Sequence, residues 1–251
     1  MAEHWQTLIG NLAVVALFIS AWVHGQFVLD PRPKVLRELV FGLTMGLGAV
    51  ASMLMGINLA PGVIFDLRSS LIAIAAFFGG PVSALVAVGV AIGWRSVVGG
   101  AGAFPGIVAM LAVAAAGLTI SRFGGRRLHP LTNALRLAFA SAVVGPVVSF
   151  ALRISGLTTV SVVSVDGMLM TAFATLVGAS FIMRERVMKR ERDLLRASFV
   201  QSPDYRSVKS PAGQFVAVNE KVAQLYGFDS PAEMAVALQT MIDELDDTHP
   251  A

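Results

Sequence analysis

The sequence contains no cysteine, which excludes disulfides, thiol catalysis and thiolate metal sites and leaves the redox compartment unread. Its four histidines, His4, His24, His129 and His249, are scattered without ligand spacing, so no metal site and no cofactor is expected. Charge is scarce too: 14% of the 251 residues are Asp, Glu, Lys or Arg, against 55% hydrophobic residues and a mean hydropathy of +0.72. A water-soluble domain carries about 25% charged residues, so a bilayer is the simplest solvent for this chain. No Walker loop, zinc-type histidine pair or GxSxG turn is present, and no enzyme is expected within these residues.

The charge that is there is segregated. Lys and Arg fall in short clusters between apolar runs of roughly 17 to 25 residues, the length that spans a hydrocarbon core. The pI near 9.7 therefore reads as positive loops flanking membrane spans and not as a nucleic-acid surface. The first residues, MAEHWQT, have no basic n-region, and no small-residue cleavage pattern closes the run after them. Leu8 to Val23 is expected to stay as a helix and not to be a removable signal.

Apolar segments at Leu8–Val23, Leu39–Met55, Phe104–Ile120, Leu137–Leu152 and Val160–Met183 each suffice to cross a membrane. Between the second and third lies PGVIFDLRSSLIAIAAFFGGPVSALVAVGVAIGWRSVVGG, which has two readings. One is a single kinked helix from Ser69 to Trp94, giving six crossings. The other is a tight turn at Gly79-Gly80-Pro81 joining a short helix from about Phe65 to Phe78 to a second from Val82 to Val98, giving seven. Only seven place all three basic clusters on one side: Arg32, Lys34 and Arg37; Arg122, Arg126 and Arg127; Arg184, Arg186, Lys189 and Arg190. The favoured fold class is thus an all-α polytopic membrane bundle of seven crossings, N-terminus outside and C-terminus cytoplasmic.

After Met183 the composition changes. RERVMKRERDLLRASF, with i,i+4 pairs such as Glu185 and Lys189, reads as a charged connector helix, residues 184–198. Its apolar positions Met183, Val187 and Leu194 make a weak heptad seam, which serves a parallel dimer or a lone juxtamembrane helix equally. From 199 onward a hairpin is expected around Ser210-Pro211-Ala212-Gly213, then two helices, the second capped by Ser230 ahead of Pro231.

Asp66, Arg68 and Arg95 are the candidate functional side chains. A fold-back at Gly79-Gly80-Pro81 brings the two arginines to one membrane depth, beside the glycine-rich turn of Gly99, Gly100 and Gly102. Two guanidiniums and backbone N–H groups there suit a small carboxylate, with Asp66 orienting one arginine. The plainer reading has Arg95 snorkelling to head groups beside Trp94 while Asp66 and Arg68 neutralise each other. Asn11, as a bond to another helix, and Asp166, near the outer end of the last span, are secondary candidates. Pro146 reads as a packed kink, and Gly42, Gly46 and Gly48 as close-packing positions.

The stretch from Pro61 to Met110 resembles the LYT-type five-transmembrane receptor domain found at the N-terminus of bacterial histidine kinases and diguanylate cyclases. The resemblance covers about Leu36 to Met183 and rests on Pro61-Gly62, Asp66-x-Arg68, Phe78-Gly79-Gly80, Arg95 and Gly99-Gly100-x-Gly102, in that order. It implies a transmembrane sensory domain over 1–183, in the bacterial inner membrane, that receives a small extracytoplasmic ligand, acts as a homodimer and passes a conformational signal inward. Residues 199–251, with Asn219 at a strand-to-helix position, resemble the opening of a PAS domain, an α/β fold of which only the first part is present. An output domain, cyclase or kinase, is then expected beyond residue 251.

More distantly, DLR and FGGP are similar to substrate-binding subunits of vitamin-uptake transporters, which supplies a transport alternative. A third reading is a structural membrane anchor. The PAS-like segment favours signalling.

Overall fold

The computed structural model describes residues 2–29, 31–60, 63–124, 130–159, 165–211 and 215–248. It is helical almost throughout, as an apolar chain must be when no water is present to satisfy its backbone. The elements are α1 (Ala2–Leu29), α2 (Lys34–Leu54), β1 (Ile57–Ala60), β2 (Val63–Phe65), α3 (Arg68–Val98), α4 (Ala103–Phe123), α5 (Pro130–Ile154), α6 (Val165–Val200), β3 (Ser207–Lys209), β4 (Phe215–Val218), α7 (Glu220–Leu225) and α8 (Pro231–Thr248). The chain divides into two compact units, Met1–Glu185 and Arg186–Ala251. The landmarks Pro61-Gly62, the cations Arg126 and Arg127, and the hairpin tip at Ala212-Gly213 lie outside the described residues.

In the first unit, six helices among the described residues are long and apolar enough to cross a membrane: α1 through α6. The third of them is not straight. Gly80 has φ 75° and ψ −164° in the middle of α3, a left-handed conformation that glycine alone adopts cheaply, and Pro81 then opens a new helix where a missing N–H costs nothing. The neighbours establish that the chain reverses there.

Residues 68–79 run antiparallel to α2: the Leu67 amide donates to Ser52 Oγ (3.0 Å), a Cβ on Gly48 would stand 3.0 Å from Leu71, and one on Gly79 would meet the Phe41 ring. Residues 81–98 run parallel to α2: Ser83 Oγ donates to the Glu38 carbonyl (2.6 Å), and a Cβ on Gly46 would stand 3.1 Å from Ala87 and 3.0 Å from Val90. Six apolar windows therefore hold seven passes.

The other helices alternate around this hairpin. α1 is antiparallel to α2, joined by Asn11 to Ser52 and Met55 at one end and by the Trp22 and Phe41 rings, 4.5 Å apart, at the other. α4 lies along the first arm, where Gly117 admits Ala73 and Ala76. α5 returns beside α4, Gly145 near Ala109 and Gly124 near Asn133. α6 follows the first arm, with Phe65 on Gly167 and Ile74 on Gly178. Lys34, Arg122 and Arg184 consequently share the Gly80 end of the bundle, and Arg68 marks the opposite end.

The first arm is the centre of the unit. Leu71, Ile72, Ala73, Ile74, Ala75 and Ala76 are all 1% exposed or less. At 1.5 Å per residue it covers about 18 Å, short of the ~30 Å hydrocarbon core. The sequence reading starts this helix near Phe65. The structure starts it at Arg68, because β1 and β2 pair as an antiparallel hairpin with Ile57 opposite Phe65, and because Asp66 Oδ1 takes the Arg68 amide (2.9 Å) in a turn that competes with helix.

The last span and the charged connector form one helix, since α6 runs unbroken from Val165 to Val200. In the second unit β3 and β4 form the expected antiparallel hairpin, and Asn219 caps α7 through the Val222 amide (3.2 Å). The Asn219 side chain, fully buried, also donates to the Ser202 and Asp204 carbonyls and accepts from the Arg206 amide. Ser230 Oγ accepts the Glu233 amide (3.2 Å) at the start of α8.

Two substitutions test this packing. A Cβ on Gly42 would lie 2.6 Å from the Ser83 carbonyl oxygen, whereas Gly89 has nothing within 4 Å. Gly42→Leu is expected to lower the stability of the detergent-solubilised protein by about 3 kcal/mol, with Gly89→Ala unchanged in the same thermal melt. Asn219→Ala, which removes a cap and strands buried partners, is expected to cost the second unit about 2 kcal/mol, read as faster amide exchange across residues 202–222 of the whole chain.

Candidate functional site

The fold-back sets the Arg68 end of the bundle. In a straight α3, Arg68 and Arg95 would stand about 40 Å apart at 1.5 Å per residue. In the folded chain both converge on one residue of α4: a Cβ on Gly106 would lie 3.2 Å from Arg68 Nη2 and 3.7 Å from Arg95 Nε. Gly106 is thus the floor beneath two guanidiniums, and any side chain there would occupy their place.

Asp66 fixes the first of them. Its Oδ1 takes the Arg68 amide and its Oδ2 takes Arg68 Nη1 at 3.0 Å. The carboxylate side chain is 0% exposed and the Arg68 side chain 13%, so this pair is far better shielded from water than a surface ion pair. Burial pushes the Asp66 carboxyl above its ordinary range, while the charges of Arg68 and Arg95 pull it down. Arg95 is 1% exposed, the largest fully buried side chain in the chain. Among these three side chains two positive charges face one negative, within the bundle and against the first turns of α4, whose dipole adds positive potential.

A second polar group holds this end in place. Asn11 Nδ2 donates to the carbonyls of Ser52 (3.1 Å) and Met55 (3.0 Å), Ser52 Oγ donates to Asn11 Oδ1, and the Leu67 amide donates to Ser52 Oγ at 3.0 Å. Three elements, α1, α2 and the start of α3, are tied together one residue from Asp66 and Arg68. Asn11 does bond another helix, and here it supports the backbone of the site.

The glycines of the α3–α4 turn have a different place from the one the sequence reading gives them. Gly99 and Gly100 have φ of 64° and 89° and reverse the chain after the Arg95 carbonyl takes the Gly99 amide (3.0 Å); nothing lies within 4 Å of a Cβ on Gly99. Gly102 is the N-cap of α4. The turn delivers α4 to the site, and Gly106, one turn further on, touches the guanidiniums. Asp166 is exposed in the first turn of α6, next to Gly167, which packs on Phe65.

The sequence reading names Asp66, Arg68 and Arg95, and the structure brings these three together. It misses Gly106, Ser52 and Leu67. The only signal for Gly106 is a glycine just inside a helix, in AFPG, directly after a glycine-rich turn; Ser52 and Leu67 give none, because an isolated serine in an apolar helix and a leucine amide are recognisable only by their partners.

The chain matches no curated protein and no solved structure. Residues 25–185, well over half of it and reaching from the end of α1 through the transmembrane part of α6, match the family model described as 5TMR of 5TMR-LYT. With its apolar helices, its fold-back and its buried Asp66, Arg68 and Arg95 cluster, the chain belongs to the 5TMR-LYT family, a membrane sensory domain of signal-transduction proteins.

Proposed function

We propose that this chain is the membrane-embedded input module of a bacterial signalling protein, and that its ligand is a small anion of the short-carboxylate class bound at Arg68 and Arg95. The observation that carries the reading is the convergence of the two guanidiniums over Gly106 beside the single carboxylate of Asp66. Two planar forks in a shielded site match a carboxylate far better than a neutral solute. Asp66 holds Arg68 in one orientation, so the ligand meets a preorganised donor.

The cations at the Gly80 end support a cytoplasmic location for that end in the bacterial inner membrane. The ligand then arrives from the extracytoplasmic side, at the Arg68 end, and α6 leads to the cytoplasm. Residues 199–251 begin a PAS-like domain in this reading, and a diguanylate cyclase or histidine kinase output follows it, with homodimers as the working unit. A transport subunit would give no role to the long charged continuation of α6.

Calorimetry of the detergent-solubilised protein against acetate, lactate, malonate and succinate tests the site. At least one acid is expected to bind, and Arg68→Ala and Arg95→Ala are each expected to weaken it by at least tenfold, the loss of a charge-assisted hydrogen bond. Unchanged affinity in both variants removes the arginines from the site. Orientation has its own assay: because the chain has no cysteine, Arg32→Cys supplies a single thiol, expected to react with a membrane-impermeant maleimide only after the cells are opened. Labelling of intact cells would refute the assigned topology.

A further inference from the structure

α6 is the one described helix that belongs to both compact units, so a change at the Arg68 end that reaches the second unit along the chain must move it. Its hold on the rest of the bundle differs from that of α2. The second arm of α3 meets α2 backbone to backbone, at Gly42 and Gly46. α6 is held by side chains: Phe65 on Gly167, Ile19 and Ile74 on Gly178, and a run of buried hydroxyls.

That run is continuous. Ser70 Oγ, on the first arm and two residues from Arg68, donates to the Thr171 carbonyl of α6 at 3.2 Å. Thr175 Oγ1 lies 2.7 Å from the same carbonyl and 2.7 Å from Ser141 Oγ of α5, and Ser141 Oγ lies 2.9 Å from the Ala138 carbonyl. Ser70 and Thr175 are 0% exposed, Ser141 2% and Thr171 5%. Each hydroxyl has a single hydrogen, so the Thr175 and Ser141 pair has two arrangements. In one, Thr175 donates to the Thr171 carbonyl and Ser141 donates to Thr175. In the other, Ser141 donates to the Ala138 carbonyl, Thr175 donates to Ser141, and the Thr171 carbonyl is left to Ser70 and its own helix.

We infer that Ser70 is the positioning residue that couples the Arg68 site to α6, and that the Ser141–Thr175 pair is the two-state catch it biases. When the first arm carries Ser70 toward Thr171, the carbonyl is served from arm 1 and Thr175 is released to α5. When the first arm withdraws, Thr175 must serve the carbonyl itself, and the α5 bond reverses. A displacement at Arg68 thus becomes a choice of hydrogen-bond partner on α6, in a dry interior where an unmet carbonyl is expensive. The purpose of this coupling rests on the ligand reading given above; its test does not.

The test is a double-mutant cycle without ligand, in the full chain in lipid nanodiscs. Spin labels on Leu43→Cys of α2 and Phe181→Cys of α6, both lipid-exposed positions in a chain free of native cysteine, report the distance between the two helices. Two substitutions displace the first arm at the site: Gly106→Ala, which sets a methyl 3.2 Å from Arg68 Nη2, and Arg68→Ala. At least one is expected to shift the distance by about 1–2 Å, the scale of helix displacements in switching proteins. Adding Ser70→Ala is expected to abolish that shift, and Thr175→Val to do the same, while neither alone moves the labels by as much.

A shift that persists with Ser70→Ala, or no shift from either site substitution, overturns the proposal. A merely structural role for Ser70 would lower stability and leave the shift intact. Repeating the distance measurement with the carboxylate panel separates the two readings: coupling in the cycle with no acid bound removes the ligand assignment alone, and an acid that binds and moves α6 equally in Ser70→Ala removes the coupling alone.

Discussion

A single backbone conformation decides what this bundle is able to do. Gly80 sits at φ 75°, where any side chain would cost about 1–2 kcal/mol, and the chain turns back on itself within a stretch that is otherwise uniformly helical and apolar. Were α3 straight, Arg68 and Arg95 would stand at opposite faces of the bundle, each isolated in lipid. Folded, they lie over the same glycine of α4 and near the same carboxylate. The turn also decides orientation: it makes the number of passes odd between the cations at Lys34 and those at Arg184, so that both fall at one end.

The energetics follow from the short first arm. An element of about 18 Å cannot face lipid at both ends without exposing its polar termini, and here it does not face lipid at all. It is wrapped by α2, the second arm, α4 and α6 through glycine and alanine contacts, and the missing length at the Arg68 end is supplied by the β1–β2 hairpin. Strands at that depth need every backbone group paired, which the hairpin provides for itself. The buried charges are stable on the same terms: Asp66 is satisfied by the Arg68 guanidinium and amide, and the desolvation cost of the cluster is offset by attraction between close opposite charges. A cluster with more cation than anion among its three side chains is stabilised further by an incoming anion, which is how a sensor differs from a static ion pair.

Much of this was legible in the sequence, and the boundary has physical causes. Apolar run length and cation placement identify a membrane bundle, and cation placement together with Gly-Gly-Pro identifies the seventh pass, because orientation depends on charge while hydropathy windows register only composition. Asp66, Arg68 and Arg95 stand out as ionisable residues in apolar surroundings. Gly106 does not, since a glycine contributing space has the same letter as a glycine contributing a turn, and the sequence pattern assigned the site role to Gly99, Gly100 and Gly102, whose task is the chain reversal. The start of α3 was misplaced by three residues because an aspartate two positions before an amide competes with the helix, a contest that propensity alone does not settle. Ser70, Ser141 and Thr175 were invisible for a deeper reason: hydroxyls are common on membrane helices, and only the folded partners reveal that these three join.

The position of α1 extends the same logic. The family match begins at residue 25, so nearly all of α1 lies ahead of it, yet the Asn11 amide holds two carbonyls of α2 and accepts the Ser52 hydroxyl beneath the Leu67 amide. In hydrocarbon a polar side chain must find partners or incur several kcal/mol, and Asn11 finds them at the base of the arginine site instead of elsewhere on α2. α1 is therefore no inert anchor added to a complete domain. Because its single buried amide braces the backbone that carries Asp66 and Arg68, the leading helix and the site share one hydrogen-bond network, and the geometry presented to an anion depends on a residue in a span that the family core does not include.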